Sequence, residues 1–372
     1  MSRAVCIIIY VINALNAFSQ KKRKWPSLLM LLLMFLMFSF VTTPTYQHKG
    51  YFRGDNEIYE KQYNQLKDAS LVEAFSGKYS VDSKTVGYTF VTWAYSRAGI
   101  PFYGFMASIF IVCSLLVHSI FKEITKNSSF FLMLYFGYYF LYDIQQIRNF
   151  IGVSIVLFAI KKLRQGKKIL FCIIVLVAAT FHTTMLAFLV FILADTKSVW
   201  KYKRTFIKAV GIVMAALICA NFSGLNIVKI AAASFYTSGY LADSFNPIRP
   251  LIEVCMFLCF AKIVGRIYNE NNNNNLIALI YRLNVVSLAF LPLIMISMTM
   301  DRLLRPVLLL NYALFSEHRS SIHHRFSTVY LDTNLANMFE IMVMVSLMTY
   351  FFSKSLFVWI FDSNVFFQWL GE

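Results

Sequence analysis

The sequence predicts an all-α, polytopic integral membrane protein of about 12 transmembrane helices with one large extracytoplasmic loop, and three observations predict it. Hydrophobic residues make up 58% of the 372 and charged residues only 14%, in repeated apolar stretches long enough to cross a bilayer core about 30 Å thick. Runs such as LLMLLLMFLMFSF (28–40) and FLMLYFGYYFLY (131–142) are apolar on every side, which excludes the strict alternation of a membrane barrel. The net charge of +17 sits in short basic runs between the apolar segments, the pattern of orientation signals and not of a nucleic-acid footprint.

The first apolar run, Ala4 to Phe18, is followed by Lys21, Lys22, Arg23 and Lys24, against a single Arg3 before it. That asymmetry reads as a retained anchor with its N-terminus outside, not as a cleaved signal peptide. Further spans are expected at 28–43, 102–121, 129–143, 149–161, 169–181, 183–195, 206–222, 249–265, 276–297, 303–316 and 335–353. The stretch from Ile169 to Ala194 admits two readings, one long tilted helix or two short ones meeting near His182. Basic clusters decide it: Lys161, Lys162, Arg164, Lys167 and Lys168 precede the stretch, and Lys197, Lys201, Lys203 and Arg204 follow it. Two short spans keep both clusters in the cytoplasm and place His182 at an outer turn, although 13 residues of α-helix reach only about 20 Å.

The whole chain, 1–372, reads as one membrane domain. Its large hydrophilic insertion, 44–101, is expected outside the membrane, as is a second loop at 223–250; 266–275, with the tract NENNNNN, reads as an Asn-rich cytoplasmic linker. All six cysteines fall in apolar runs, and Cys255 with Cys259 has no histidine or acidic partner to complete a ligand set, so neither a disulfide framework nor a zinc site is indicated. No cofactor is expected.

On the outer side this topology gathers chemistry from separate segments. Asp143, Gln145, Gln146 and Arg148 lie in LYDIQQIRNFIG, where Asp143 and Gln146 share a helix face and Arg148 joins them only if the chain breaks. His182 is a second contributor. Asp301, Arg302 and Arg305 lie in MTMDRLLRPVL, the two arginines one turn apart and Pro306 distorting that turn. Taken singly, each can be read as a paired, snorkelling charge. Together they suit an anionic, lipid-borne substrate, because guanidinium groups hold phosphate oxygens bidentately at any relevant pH. In glycosyl transfer from a lipid diphosphate the leaving group gains charge, and fixed cations stabilise it without metal. The attacking hydroxyl then needs a base, for which His182, Asp143 and Asp55 are candidates. Tyr46, Tyr51, Phe52, Tyr59, Tyr236 and Tyr240 are the aromatics an interface attracts, and also rings on which a sugar can stack.

DIQQIRNFIGVSIVLFAIKKLRQGKK (143–168) followed by AATFHTTMLAFLVFIL (178–193) resembles the central signature of the EpsG-like branch of bacterial Wzy polysaccharide polymerases. YFRGDNEIYEKQY is similar to that family's outer stretch after the second span, with Arg53 abutting Gly54; MDRLLRPVLLL is similar to its late arginine stretch, with Pro306 near the place of an aromatic. The resemblance implies a membrane glycosyltransferase of GT-C-like architecture, independent of metal. Its reaction is polymerisation of lipid-linked oligosaccharide units for O-antigen, capsule or exopolysaccharide at the outer face of the inner membrane. The growing glycan passes from undecaprenyl diphosphate to the sugar of an incoming lipid-linked unit. Partners then include the undecaprenyl-diphosphate-linked oligosaccharide, the bilayer, and a chain-length regulator and flippase of the same pathway. Arg148 and His182 match best, Asp143 next. Asp55, Arg53, Arg302 and Arg305 follow, with Gln145, Asp301 and Pro306 shaping the site. The competing readings are a flippase of the same pathway, which calls for more charge at mid-span; an O-acyltransferase, which calls for an early arginine motif; and an O-antigen ligase, which differs only in acceptor.

Overall fold

The computed structural model describes residues 3–19, 23–40, 55–76, 85–195, 200, 202–222, 248–270, 274–296 and 298–325, and all regular elements among them are helical. The expected span 335–353, most of the loop 223–250, and Arg53 lie outside the described residues. Phe102–Phe121 and Asn275–Met295 are long and apolar enough to cross a membrane by themselves, and five shorter helices are apolar along their length.

Helices α1 (Arg3–Phe18) and α2 (Lys24–Phe40) pair with each other and with α7 (Ser128–Gly137). Buried amides fix that junction: Asn13 Nδ2 donates to the Ser129 carbonyl, Asn16 Nδ2 to Ser129 Oγ, and Asn127, the cap of α7, donates to the Ala17 carbonyl. The large insertion is not featureless. It contains α3 (Asp55–Gln65), α4 (Leu71–Phe75) and α5 (Val86–Arg97). Along α3 and into the turn after it the buried residues Tyr59, Gln62, Tyr63 and Leu66 form one i, i+3, i+4, i+7 stripe, which dense neighbouring charge conceals in the sequence.

α6 (Phe102–Phe121) has the predicted bounds. The run expected as one span over 129–143 is interrupted after α7: Tyr139 has φ 81°, a conformation costly for a non-glycine residue, and caps a new short helix, α8 (Phe140–Gln145). A second interruption at Gln146 separates α8 from α9 (Ile147–Arg164). α9 packs along α6 and α10 (Lys168–Phe181).

The chain reverses at His182. Lys168 Nζ lies 3.1 Å from Asp195 Oδ2, whereas a single helix would hold those residues about 40 Å apart. The returning limb, Thr183–Asp195, is a 3-10 helix of 13 residues, far longer than usual. Met185, Phe188, Phe191 and Ala194 are all fully buried at a strict spacing of three, the period that eclipses side chains in a 3-10 helix. At roughly 2.0 Å per residue this winding spans about 26 Å, not the 20 Å of the α-helix expected there.

α11 (Lys203–Phe222) and α12 (Ile248–Glu270) follow. α12 thus continues into the expected linker, and Asn274 at its far side caps α13 (Asn275–Ser287) by accepting from the Leu276 and Ile277 amides. Pro292 lacks the N–H that would continue the helix, and the chain tightens to 3-10 at Leu288–Phe290 before α14 (Leu291–Ile296). A second 3-10 turn, Met298–Leu304, leads into α15 (Arg305–Arg325). Asn284 and Asn311 exchange two amide hydrogen bonds of 2.8 Å between α13 and α15.

The bundle has two chemically different ends. At one, Glu123 pairs with Lys161 at 2.9 Å and with Arg164, and Glu317 accepts from the Lys126 amide. Lys161 and Arg164 hold the Glu123 carboxyl below its usual range. At the other end lie the α8–α9 break, the His182 reversal and the start of α15.

Candidate active site

Breaks in the helices place the polar side chains of the second end. The interruption at Gln146 leaves Asp143 and Gln146 facing one way and turns Arg148 another. Asp143 Oδ1 accepts from Arg305 Nη1 at 3.1 Å, and Oδ2 accepts from the Tyr135 hydroxyl at 2.7 Å. Arg305 Nη2 donates to Gln146 Oε1 at 2.7 Å, and the guanidinium stacks over the rings of Tyr139 and Tyr142 at 5.3 and 5.6 Å. Arg305 and Asp143 are 1% and 2% exposed. This pair is therefore sealed, with both carboxylate oxygens engaged. Pro306 is the second residue of α15, a first-turn position where its missing N–H leaves no bond unmade.

His182 ends α10 in an extended conformation, φ −153° and ψ 119°. Arg302 Nη1 lies 3.2 Å from His182 Nε2, and Thr184 Oγ1 lies 2.7 Å from Nδ1. A guanidinium only donates, so Nε2 must offer its lone pair and the proton sits on Nδ1, shared with Thr184. The donor-only guanidinium decides this over the longer 3.4 Å approach of the Thr184 amide to Nδ1. In this arrangement the ring is neutral, and Arg302 is the guanidinium in contact with it.

Arg148 reaches out of the bundle to the insertion. Its Nε donates to the Tyr59 hydroxyl at 3.2 Å, its Nη1 to Thr85 Oγ1 at 3.5 Å, and the guanidinium lies 5.4 Å from the Tyr59 ring centroid. Arg148 and Arg302 are only half-buried, in contrast to Arg305.

Of the residues expected here, Arg148, His182, Arg302, Arg305 and Asp143 come together, and Asp301 lies buried within electrostatic reach of Arg305. Asp55 is the first residue of α3, the helix that delivers Tyr59. Gln145 is half-buried beside Gln146, which makes the bond to Arg305. Tyr135, Thr85 and Thr184 were not foreseen as site residues. Tyr135 sits eight residues before Asp143 across two helices, and Thr85 precedes a helix hidden in the polar insertion. Thr184 alone had a local signal, a hydroxyl two residues after a histidine set in an apolar run.

Two glycines fix the spacing around the turn. A Cβ on Gly87 of α5 would lie 2.2 Å from Thr180 Oγ1, and one on Gly152 of α9 would lie 2.7 Å from Met185 Cγ. Both contacts flank His182 in sequence, so the turn is gripped from α5 and from α9.

Neither a curated protein nor a solved structure matches the chain. A family model does, over residues 29–353, and so takes in α3 through α15 with every residue of the cluster: the chain belongs to the EpsG family of Wzy-type polysaccharide polymerases.

Proposed function

We propose that the protein polymerises lipid-linked oligosaccharide repeat units as a metal-independent membrane glycosyltransferase. In this reading it transfers the growing glycan from undecaprenyl diphosphate to the sugar of an incoming lipid-linked unit at the outer face of the inner membrane. One observation carries it: Arg302 meets His182 directly, the Arg305–Asp143 pair and Arg148 lie at the same end of the bundle, and Arg148 and Arg302 are half-buried. Such a cluster is costly inside a membrane unless an anionic ligand meets it.

Arg148 and Arg302 grip the diphosphate, and Arg305 acts through its sealed pair with Asp143, holding the α8–α9 break and the start of α15 in register. The acceptor hydroxyl attacks the anomeric carbon, the bond from that carbon to the phosphate oxygen breaks, and its electron pair leaves with the lipid diphosphate. The hydroxyl proton passes to His182 Nε2, whose lone pair is held by Arg302 at rest and is released when that guanidinium turns to phosphate. Asp143 has neither oxygen open for this task. Thr184 stabilises the imidazolium orientation by keeping Nδ1–H bonded.

Arg148→Ala and His182→Ala, each made at normal levels, are expected to abolish long-chain polysaccharide while single repeat units persist on the cell surface. Normal chain length in both variants overturns the assignment. Loss of even the single repeat unit points to a flippase, and polymer that remains on its lipid carrier in cells lacking the protein points to a ligase.

A further inference from the structure

The insertion carries an apolar surface that neither the site nor the core uses. α5 has two faces: Thr85, Tyr88, Thr89, Thr92 and Ser96 are buried, while Val86 and Phe90 are 52% and 50% exposed. Trp93, its ring 6.2 Å from Phe90, continues that stripe at its edge, half-buried against Leu66, Ala69 and Ala74 with Nε1 donating to the Ala69 carbonyl, and Arg97 ends it. α4 packs on α5 and adds Leu71, Phe75 and Val72, the last 81% exposed. In water so many exposed apolar side chains on two packed helices, with Glu73 the one charge on α4, are unfavourable.

Its level in the bundle says what covers it. α5 starts against Thr180 and Phe181 at the end of α10, where Gly87 permits close approach, and Tyr88 and Tyr95 both meet Phe105 in the first turn of α6. A helix of about 18 Å bridging the same-side ends of two apolar helices runs along the membrane boundary and does not stand off it. Its exposed stripe is continuous in character with those of α10 (Leu176, Val177) and α6 (Ile111, Leu115). An aromatic stripe closing on an arginine is the composition of an interfacial helix.

We infer that α4 and α5 seat in the lipid headgroup–acyl boundary, with Val72, Phe75, Val86, Phe90 and Trp93 in contact with lipid. The occupant of this face is the bilayer itself. Since Thr85 and Tyr59 hold Arg148, the anchored insertion sets that guanidinium at the depth of lipid phosphates. The inference stands on membrane residence alone and not on the polymerase reading.

The test uses the full chain in lipid nanodiscs. In a background with the six native cysteines replaced by alanine, Val72→Cys, Phe90→Cys and, as a water-facing control on α3, Asn64→Cys are labelled with the environment-sensitive fluorophore NBD. Positions 72 and 90 are expected to emit to the blue of position 64, to be quenched by nitroxide-labelled lipid, and to lose iodide quenching severalfold. Iodide quenching at 72 or 90 equal to that at 64 overturns the inference. Should the cysteine-free chain fail to fold, a photoactivatable diazirine phospholipid on the unaltered protein decides. Crosslinks in peptides containing Leu71–Phe75 and Val86–Trp93 support the inference, and their absence from both refutes it.

Discussion

Replacing Asp143 by alanine is expected to destabilise the bundle more than any exposed charge change, and the structure sets the size. The variant leaves Arg305 fully buried with Gln146 and two tyrosine faces but without its ion-pair partner, Asp301 alone remaining within electrostatic reach. Removing one partner of a buried pair costs about 3–5 kcal/mol, because the remaining charge stays out of water. Arg305→Ala reverses the deficit: Asp143 keeps only the Tyr135 hydroxyl, and a similar loss is expected. The double variant Asp143→Leu, Arg305→Met removes both charges at comparable volume, so most of each single loss returns, with a coupling of about 3 kcal/mol. Steric trapping in bicelles reads these free energies reversibly. Single losses under about 1 kcal/mol, the level of a solvent-exposed pair, with no coupling, refute the sealed-pair argument. A stable double variant that still makes long chains assigns the pair wholly to architecture.

Three further outcomes follow from the same geometry. Gly152→Ala meets Met185 at 2.7 Å and is expected to cost about 1–3 kcal/mol, whereas Gly211→Ala in the open on α11 should gain up to about 1 kcal/mol from helix propensity; thermal unfolding in detergent separates them by sign. Phe188→Ala empties a period-three position against Phe191 and Phe290 and is expected to cost about 3 kcal/mol. Leu186→Ala on the exposed face should stay within about 0.5 kcal/mol; equal losses would argue for an α-helical limb. Thr184→Val removes the acceptor for His182 Nδ1–H and is expected to lower polymer yield without changing expression, with Thr184→Ser restoring it.

Reading the chain by its residues recovers most of the path and only part of the site. The reversal at His182 was legible because basic clusters bracket Ile169 to Ala194, and the Lys168–Asp195 contact meets that reading. The 3-10 winding was not, since apolar residues at a spacing of three also suit one face of an α-helix, and length alone pointed to a limb too short to span. α3 was legible in principle through Tyr59, Gln62, Tyr63 and Leu66, but a glutamine within the stripe and charges around it mask the period. Arg148 and His182 share an end by topology. The pairing of Asp143 with Arg305 across 162 residues has no spacing to betray it, and the nearer Arg148 is the natural but different partner.

The contact between Arg302 and His182 is where the proposed chemistry is most exposed to test. At rest the guanidinium occupies the lone pair that a base requires. A diphosphate competes for that guanidinium as an anion that can accept two parallel bonds, where the imidazole is a neutral acceptor of one, so donor binding should uncover Nε2 at the moment an acceptor can use it. Diethyl pyrocarbonate acylates a neutral imidazole nitrogen only when its lone pair is accessible, and peptide mass spectrometry resolves His182 from the other five histidines. Inorganic pyrophosphate is therefore expected to speed modification of His182 in the unaltered protein. In Arg302→Ala the modification should be fast at the outset and indifferent to pyrophosphate. A rate that pyrophosphate leaves unchanged or slows in the unaltered protein would mean that Arg302 does not release the ring, and the base would then have to be sought elsewhere around Arg148.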